Sequence, residues 1–244
     1  MKMRKIYKFI FGDTELHSRI RWREFKKHIE FKNSKILEAG CGNGFMTSRI
    51  AKELTDGSQV IGIDLCSDSI EHANELKERH ALSNAYFSRQ DLLRLEFAND
   101  TFDQVLCLDV IEHIVDDVAA LKEAARVLKN DGIMVISVPT PQYNTFFGKD
   151  FADKIGHLRT GYTHKDFNAL FGRAGLKMVD FKYDTLLSSA CCCYVYYRLL
   201  SEYPRICSLL SPVLYLLSFL DVLFSPAGIA CGLVVRAKKD KVFV

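Results

Sequence analysis

A glycine-rich turn between an apolar run and a helical pattern limits the folds open to this chain more than any other feature. The stretch KILEAGCGNGF, residues 35–45, places Gly40, Gly42 and Gly44 directly after a short apolar run. A helical pattern, FMTSRIAKELT, follows at once. Glycines at such a turn let a ligand approach backbone N–H groups with no Cβ in the way. The turn therefore predicts a ligand site.

The rest of the chain alternates between the apolar periods of strands and helices. Strands are predicted in KILEA, SQVIGIDLC, NAYFSRQD, FDQVLCLD, GIMVISVP, LKMVDFKYD and GIACGLVVRAKK. Helices are predicted in residues 14–31 and in FMTSRIAKELT, DSIEHANELKERHAL, DDVAALKEAARVLKN and HKDFNALFGRAG. Strands that alternate with helices favour an α/β fold with a parallel sheet covered on both faces.

Length, charge and cysteine content narrow the class of protein. A chain of 244 residues is one sizeable domain, or one domain with an elaboration. A net charge of +3 is too small to indicate nucleic acid as a partner. The N-terminal residues lack the apolar core of a secretory signal, and the eight cysteines include no C-x-x-C pair. We therefore expect a reduced, cytoplasmic protein.

The spacing of the glycines distinguishes this turn from a dinucleotide site. The pattern G-x-G-x-x-G needs its third glycine where this chain has Phe45. The turn reads instead E-x-G-x-G-x-G, with Glu38 two residues before the first glycine. An acid at that place is a poor neighbour for a pyrophosphate and a good one for a cationic ligand.

At these residues the chain resembles the class I S-adenosylmethionine-dependent methyltransferases, over roughly residues 30–185 and the last strand. The resemblance implies a Rossmann-like, doubly wound sheet of seven strands, mostly parallel with the last strand antiparallel. It implies S-adenosylmethionine as the cofactor, with the glycine turn around its amino-acid part and Glu38 near its ammonium group.

Further landmarks of that family follow the second, third and fourth predicted strands. Asp64 is implied to accept both ribose hydroxyls, and a carboxylate can accept two hydrogen bonds at once. Asp91 is implied to face the adenine amino group, with Leu92 offering a backbone N–H. The full set of cofactor-binding residues that the resemblance implies is Glu38, Gly40, Cys41, Gly42, Gly44, Asp64, Leu65, Asp91, Leu92 and Leu108.

The segment LCLDVIEHIVDD follows the fourth strand, where the resemblance places methyl transfer. His113 is the leading candidate for a general base, because an imidazole has a pKa near neutrality. Glu112 and His157 are further candidates for catalytic residues. A histidine that only caps or packs the next helix is the structural alternative.

The same segment offers an alternative metal site. Asp109, Glu112 and His113 are spaced i, i+3 and i+4, which puts them on one face if the segment is helical. Quinone O-methyltransferases resemble this pattern with E-x-x-E-H and a later histidine, here His157, and bind a divalent ion there. Two carboxylates and two imidazoles suit zinc or a harder ion. Asp109 is shorter than the usual glutamate, and a site without metal is the preferred interpretation.

Residues 186–227 contain the most apolar stretches of the chain. Pro212 and Asp221 interrupt the second stretch, and aspartate is costly in hydrocarbon. The flanking sixth and seventh strands are expected to pair, so both ends of the segment must lie on one side of any membrane. We predict a helical insertion that caps the site or dips into one leaflet; core helices are the alternative.

The basic and aromatic residues of the N-terminal segment suit an anionic lipid surface. A solvated helix that covers the cofactor is the alternative for this segment. The predicted organisation is residues 1–34 as basic amphipathic helices, residues 35–185 and 228–240 as the catalytic domain, and residues 186–227 as the insertion.

Three functions follow from these patterns. The first is an enzyme, peripheral on the inner face of a membrane, that methylates an amphipathic or lipid-linked acceptor. The second is a soluble methyltransferase of a small polar metabolite or glycan. The third is a non-catalytic cofactor-binding module, which the acids Glu38, Asp64 and Asp91 disfavour. Oxygen is the expected methyl acceptor atom, with carbon and nitrogen as alternatives.

Overall fold

The computed structural model describes residues 16–222 and 229–240. The described residues form a seven-stranded sheet in the order β3-β2-β1-β4-β5-β7-β6. Neighbouring strands are parallel from β3 to β5, and β7 runs antiparallel to both β5 and β6. The strands are β1 (Lys35–Ala39), β2 (Gln59–Asp64), β3 (Ala85–Arg89), β4 (Phe102–Leu108), β5 (Leu128–Pro139), β6 (Leu176–Leu186) and β7 (Ala230–Lys239).

This sheet confirms the predicted doubly wound α/β fold with an antiparallel last strand. The strand order reverses between β1 and β4, the central pair. In open sheets of this kind, ligands bind at such a reversal, beyond the carboxyl ends of the strands. The fold thus places a ligand site at the carboxyl ends of β1 and β4, which carry Glu38 and Leu108.

Helices cover both faces of the sheet. They are α1 (Leu16–Phe25), α2 (Phe45–Glu53), α3 (Ser67–Arg79), α4 (Asp117–Val127), α5 (Gln142–Phe147), α6 (Lys149–Lys154), α7 (His164–Ala174), α8 (Leu187–Glu202) and α9 (Pro204–Leu217). Successive side chains of β4 point to opposite faces of the sheet, as in any strand. Val105 packs in the cluster with Leu121 of α4, and Leu106 packs in the cluster with Ile50 of α2.

Four elements differ from the prediction. The first helix ends at Phe25 and continues only as a 3-10 turn, Lys26–His28, so it is shorter than the predicted residues 14–31. The fifth strand begins at Leu128, inside the residues predicted as helix. Helices α5 and α6 were not predicted, because each has only six residues and shows too little of a helical period.

Up to residue 222, the apolar segment between β6 and β7 is helical, as predicted. Helices α8 and α9 are followed by a 3-10 turn, Ser218–Val222. Leu16 and Ile20 of α1 share a buried cluster with Cys193 and Leu214 of these helices. No helix within residues 16–222 and 229–240 is both long and apolar enough to cross a membrane. Within the predicted basic N-terminal segment, residues 1–34, the first part (residues 1–15) lies outside the described residues.

Candidate active site

The glycine turn between β1 and α2 has the backbone that its sequence predicts. Gly40, Gly42 and Gly44 have φ angles of 76°, 50° and 76°, in the left-handed region that favours glycine. A Cβ on Gly44 would lie 2.7 Å from the Cβ of Ala73, and one on Gly40 would overlap Val110. A Cβ on Gly42 would meet no atom within 4 Å. The outer two glycines are thus needed for packing, while Gly42 borders open space.

The end of β2 holds this turn in place. The backbone N–H of Gly42 donates to Oδ2 of Asp64 at 2.8 Å, and that of Cys66 donates to Oδ1 at 2.9 Å. Each carboxylate oxygen has a second lone pair, so Asp64 can accept further hydrogen bonds from a ligand. The side chain therefore orders the turn and remains able to bind hydroxyl groups.

Glu38 is a buried acid beside the turn. Its side chain accepts a hydrogen bond from the hydroxyl of Thr47, in the first turn of α2. Burial raises the pKa of Glu38 to about 8, against the opposing effect of the Thr47 hydrogen bond. A cationic group placed next to this carboxyl would favour its ionised form.

A cavity of about 330 Å³ lies between the glycine turn and α1. Five of the predicted cofactor residues line it: Glu38, Gly40, Cys41, Gly42 and Leu108. Helix α1 provides the opposite wall, through His17, Ser18, Arg21 and Phe25. The structure thus brings these sequence-predicted residues together around one space.

The other predicted cofactor residues lie outside this lining. Gly44 supports the turn, as described above. Leu65 is 62% exposed at the end of β2, whereas the side chain of Leu92 packs in the core. Oδ1 of Asp91 accepts the backbone N–H of Leu93 at 2.9 Å, in the turn that follows β3. Asp91 therefore lies beside the edge of the sheet that also carries Asp64, because β2 and β3 are adjacent and parallel.

A second cavity, of about 370 Å³, adjoins the first. His17, Arg21 and Asp109 line both cavities, so the two meet at these side chains. Aromatic residues line much of the second cavity: Tyr143, Phe147, Phe151 and Tyr197. Burial raises the pKa of the Tyr143 hydroxyl, and the nearby Asp109 adds to this effect.

The three predicted catalytic residues meet in this second cavity. One potential ligand atom each from Glu112, His113 and His157 lies within 4.8 Å of the others. Oε1 of Glu112 is 4.0 Å from Nε2 of His157. The side chain of Glu112 is buried, and neither of its oxygens has a hydrogen-bond partner in the part of the chain that the structure describes. Burial raises the pKa of Glu112 to about 8 and, together with His113, lowers that of His157.

Asp109, the fourth residue of the alternative metal set, points elsewhere. Its carboxylate pairs with Nη2 of Arg21 and accepts a hydrogen bond from Oγ of Ser137 at 3.1 Å. Its φ of 58° turns the chain directly after β4. Residues 111–113 form a single 3-10 turn rather than an α-helix, so the i, i+3, i+4 face is not formed.

Comparisons with known proteins agree with this geometry. The sequence model of a family described as "Methyltransferase domain" matches residues 30–168. The chain belongs to this methyltransferase family. Residues 30–168 include the glycine turn, Asp64, Asp91, Glu112 and His113, so the family predicted from those motifs is confirmed.

Curated proteins and a solved structure are also similar to this chain. The ubiquinone biosynthesis O-methyltransferase of Actinobacillus pleuropneumoniae is 30% identical over 109 residues, covering 42% of this chain and 44% of that protein. The enzyme of the same name from Dinoroseobacter shibae is 29% identical over 169 residues, 66% of each chain. Among the curated relatives, the matches with the A. pleuropneumoniae and Coxiella burnetii proteins thus span about half of their length. A Galdieria sulphuraria structure named as a sarcosine dimethylglycine methyltransferase shares the fold, with a TM-score of 0.66, 15% identity and coverage of 98% and 97%.

The residues of the first cavity fit S-adenosylmethionine, the cofactor of class I methyltransferases. Glu38 is a buried carboxyl that lines the cavity and has no cationic partner among residues 16–222 and 229–240, and the cofactor carries an ammonium group. Gly42 borders space that a Cβ would enter. Asp64 keeps free lone pairs beside the turn. These acceptor groups therefore match a ligand that carries both a cationic group and hydroxyl groups.

Arg21 is the main residue of the methyltransferase site that the sequence patterns did not reveal. It is buried and pairs with Asp184 of β6 and with Asp109. One signal was present: His17, Arg21 and Phe25 are spaced four apart, so two titratable side chains share a helix face with a buried phenylalanine. Asp184 gave no comparable signal, because β6 carries acids and lysines along its length.

Proposed function

We propose that this chain is an S-adenosylmethionine-dependent methyltransferase that methylates an oxygen atom of an amphipathic or lipid-linked acceptor at a membrane surface. Oxygen as the acceptor atom is supported by the two ubiquinone biosynthesis O-methyltransferases that resemble it. The proposed contact with a membrane is supported by the apolar face that α9 exposes to solvent. We propose the division that the sequence predicts. Residues 1–34 are basic amphipathic helices that cover the site and contact the membrane, residues 35–185 and 228–240 carry catalysis, and residues 186–227 form the insertion.

The cofactor, when bound, supplies an electrophilic methyl group on a sulfonium. Glu38 binds its ammonium group, the glycine turn leaves room for its amino-acid part, and Asp64 accepts its ribose hydroxyls. Asp91 and the adjacent Leu92 N–H hold the adenine, with Leu65 at the open edge. These assignments extend the contacts of the first cavity to the ends of β2 and β3, which lie beside it.

His113 is suited to remove the proton of an acceptor hydroxyl. Its Nδ1 lies 2.9 Å from the carbonyl oxygen of Gly156, and a carbonyl only accepts, so Nδ1 carries the proton. The lone pair of the neutral ring is then on Nε2. Glu112 and His157 lie beside this ring and can bind the acceptor hydroxyl or share its proton. Holding the oxygen in line with the methyl group supplies much of the remaining rate.

The walls of the second cavity favour an acceptor with an apolar body. Phe151 of α6 and Tyr197 of α8 face each other there, with ring centroids 5.6 Å apart. Tyr143 and Phe147 of α5 stack beside them at 4.6 Å. Tyr197 belongs to the apolar insertion, so one segment lines the acceptor cavity and also carries the outward apolar face.

Helix α9 has the reverse of the usual amphipathic pattern. Its inner face carries mainly small side chains beside the buried Leu214: Cys207, Ser211 and the following Ser218 are 1%, 0% and 0% exposed. Large aliphatic residues face outward instead, with Leu209 at 62% and Leu216 at 68% exposure. Ile206, Leu210, Val213, Leu217 and Phe219 continue this outward set. Core helices would bury such side chains, whereas a helix that dips into one leaflet exposes them.

Basic side chains border this apolar face. The guanidinium of Arg23 lies 4.3 Å from the ring centroid of Phe219, and that of Arg19 lies 4.5 Å from the centroid of Tyr215. Both arginines belong to α1, which packs against α9. Cations around an apolar surface suit a bilayer with anionic lipids. We therefore propose a membrane, rather than a protein, as the occupant.

Charging this face should release the protein from lipid. We expect Leu217→Glu with Phe219→Glu to abolish sedimentation with vesicles of phosphatidylcholine and phosphatidylglycerol, because each docked apolar side chain contributes roughly 1.5 to 3 kcal/mol. Cofactor binding should be unchanged, since both residues are 44–45% exposed and outside both cavities.

Val179→Glu with Phe181→Glu is the matched control. These residues of β6 are 48% and 42% exposed and lie on another part of the surface. The control should sediment with vesicles like the unaltered protein. Equal release of both double variants, or vesicle binding that survives the first one, would refute the membrane surface. Transfer of labelled methyl from the cofactor to a lipid extract, and not to the water-soluble metabolites, tests the acceptor class.

Cofactor binding should be coupled to loss of a proton from Glu38. The free protein holds this carboxyl protonated below about pH 8, and an ammonium partner favours the ionised form. Affinity should therefore rise with pH towards about 8 and fall above it, where the ammonium group of the cofactor loses its proton. At pH 7, calorimetry in buffers of different ionisation enthalpy should show release of about one proton per cofactor. Glu38→Gln should bind more weakly and release none; unaltered proton release in that variant would contradict the assignment.

A further inference from the structure

Arg21 occupies the place where the two cavities meet. Its side chain is buried and lines both of them, at the middle of α1. A buried guanidinium is costly unless acidic groups pair with it. Asp109 and Asp184 provide those partners and raise the pKa of Arg21, although burial opposes them.

The two ends of the guanidinium bind different parts of the sheet. Nη1 donates to Oδ1 and Oδ2 of Asp184, in β6, at 2.9 and 3.1 Å. Nη2 donates to Asp109, after β4, and to Oγ of Ser137, in β5. One side chain of α1 thus contacts three strands or strand ends. The planar fork of arginine suits such bridging, and the single ammonium of lysine does not.

The neighbouring strand leaves room for this ion pair. Gly232 of β7 pairs with Asp184 of β6 and with Pro139 of β5. A Cβ at position 232 would overlap the carboxylate of Asp184 and lie 2.6 Å from Nη1 of Arg21. Glycine at this position of the sheet interior is therefore required by the pair.

Two sides of α1 have different partners. His17, Ser18 and Phe25 form a wall of the cofactor cavity, opposite the glycine turn. On another side of the helix, Leu16 and Ile20 pack in the cluster that contains side chains of α8 and α9.

The end of α1 has its own contacts with the sheet. Phe25 packs in the cluster with Leu106 of β4, and Glu24 pairs with Lys182 of β6 at 2.9 Å. The Arg21 contacts are the polar tie between the middle of α1 and the strand ends around the site.

We infer that Arg21 is a positioning residue for methyl transfer: by bridging Asp184 and Asp109, it fixes α1 as the common wall of the cofactor and acceptor cavities. This inference rests on the proposed function, because the first cavity is taken as the cofactor site. Arg21 does not bind the cofactor in this role; it acts through the placement of His17, Ser18 and Phe25.

The test uses the full chain and S-adenosylhomocysteine as the probe, so no acceptor is needed. Arg21→Met should weaken binding at least tenfold by calorimetry and should speed hydrogen exchange of residues 16–25. Arg21→Lys should fall between this variant and the unaltered protein, because it keeps the charge and loses the fork. Lys27→Met is the control, since Lys27 pairs with Glu24 at the surface outside both cavities; it should bind normally.

A charge-balanced variant separates positioning from general stability. Arg21→Met with Asp184→Asn removes the unpaired buried carboxylate, so thermal stability should recover relative to Arg21→Met. Affinity should remain at least tenfold weaker, because the middle of α1 still lacks its contacts with the strand ends. Recovery of full affinity in this folded double variant, or unaltered affinity and exchange in Arg21→Met, would overturn the inference. If the unaltered protein fails to bind the probe, the proposed function fails instead.

Discussion

Asp64→Ala should weaken binding of S-adenosylmethionine by about 2 to 4 kcal/mol, or roughly 30- to 1000-fold. The change removes the carboxylate that we assign to the ribose hydroxyls. It also removes the acceptor for the backbone N–H of Gly42, so the glycine turn loses its tie to β2. Calorimetry with the purified variant measures the effect.

Asp68→Ala is the matched control for this change. Asp68 is an exposed acid in the first turn of α3, close to Asp64 in sequence and outside both cavities. Its replacement should leave affinity unaltered. If a folded Asp64→Ala protein binds the cofactor as tightly as the control, Asp64 does not hold the ribose.

His113→Gln should lower turnover about 100-fold or more while leaving cofactor affinity nearly intact. Glutamine cannot take up the proton that Nε2 of His113 accepts in the proposed reaction. Turnover is measured as transfer of labelled methyl to the lipid extract. His72→Gln, an exposed histidine of α3, serves as the control and should retain activity. Full activity in His113→Gln would remove this residue from the reaction.

Removal of divalent ions with EDTA distinguishes a general base from a metal ligand at His113. If His113 is a base, the unaltered enzyme should keep its activity in EDTA. Loss of activity in EDTA and its recovery with a divalent ion would instead assign Glu112, His113 and His157 as ligands. The metal role would also require that His157→Gln abolish this recovery.

Local patterns made the cofactor side of the site predictable. The glycines, Glu38 and Asp64 lie within one strand-turn-helix-strand unit, so their spacing along the chain already determines their spacing in the fold. The contacts among Glu112, His113 and His157 were predictable in part, because two are adjacent in sequence. The turn after β4 was not, since the left-handed φ of Asp109 directs its side chain towards Arg21 rather than towards the histidines.

Local sequence patterns could not predict contacts between residues far apart in the chain, or which face of a helix is buried. Arg21 and Asp184 are 163 residues apart, and only the order of the strands brings them together. The composition of α9 showed that it is apolar but not which face is covered. Cys207 and Ser211 face inward because small side chains allow α9 to pack closely against its neighbours, and this leaves Leu209 and Leu216 outside.

The connection from β6 to β7 bears on how such a chain can change its acceptor. Strand β6 ends at Leu186, and the adjacent antiparallel strand β7 begins at Ala230, which pairs with it. The sheet therefore fixes the distance between these two residues, whatever segment joins them. A longer, shorter or more polar segment could replace residues 187–229 without altering the strand order. Tyr197 shows that this segment also lines the second cavity, which we propose as the acceptor site. A single exchange of sequence at this connection could therefore alter both the compartment in which the enzyme works and the molecules that it accepts, while the cofactor site is inherited unchanged.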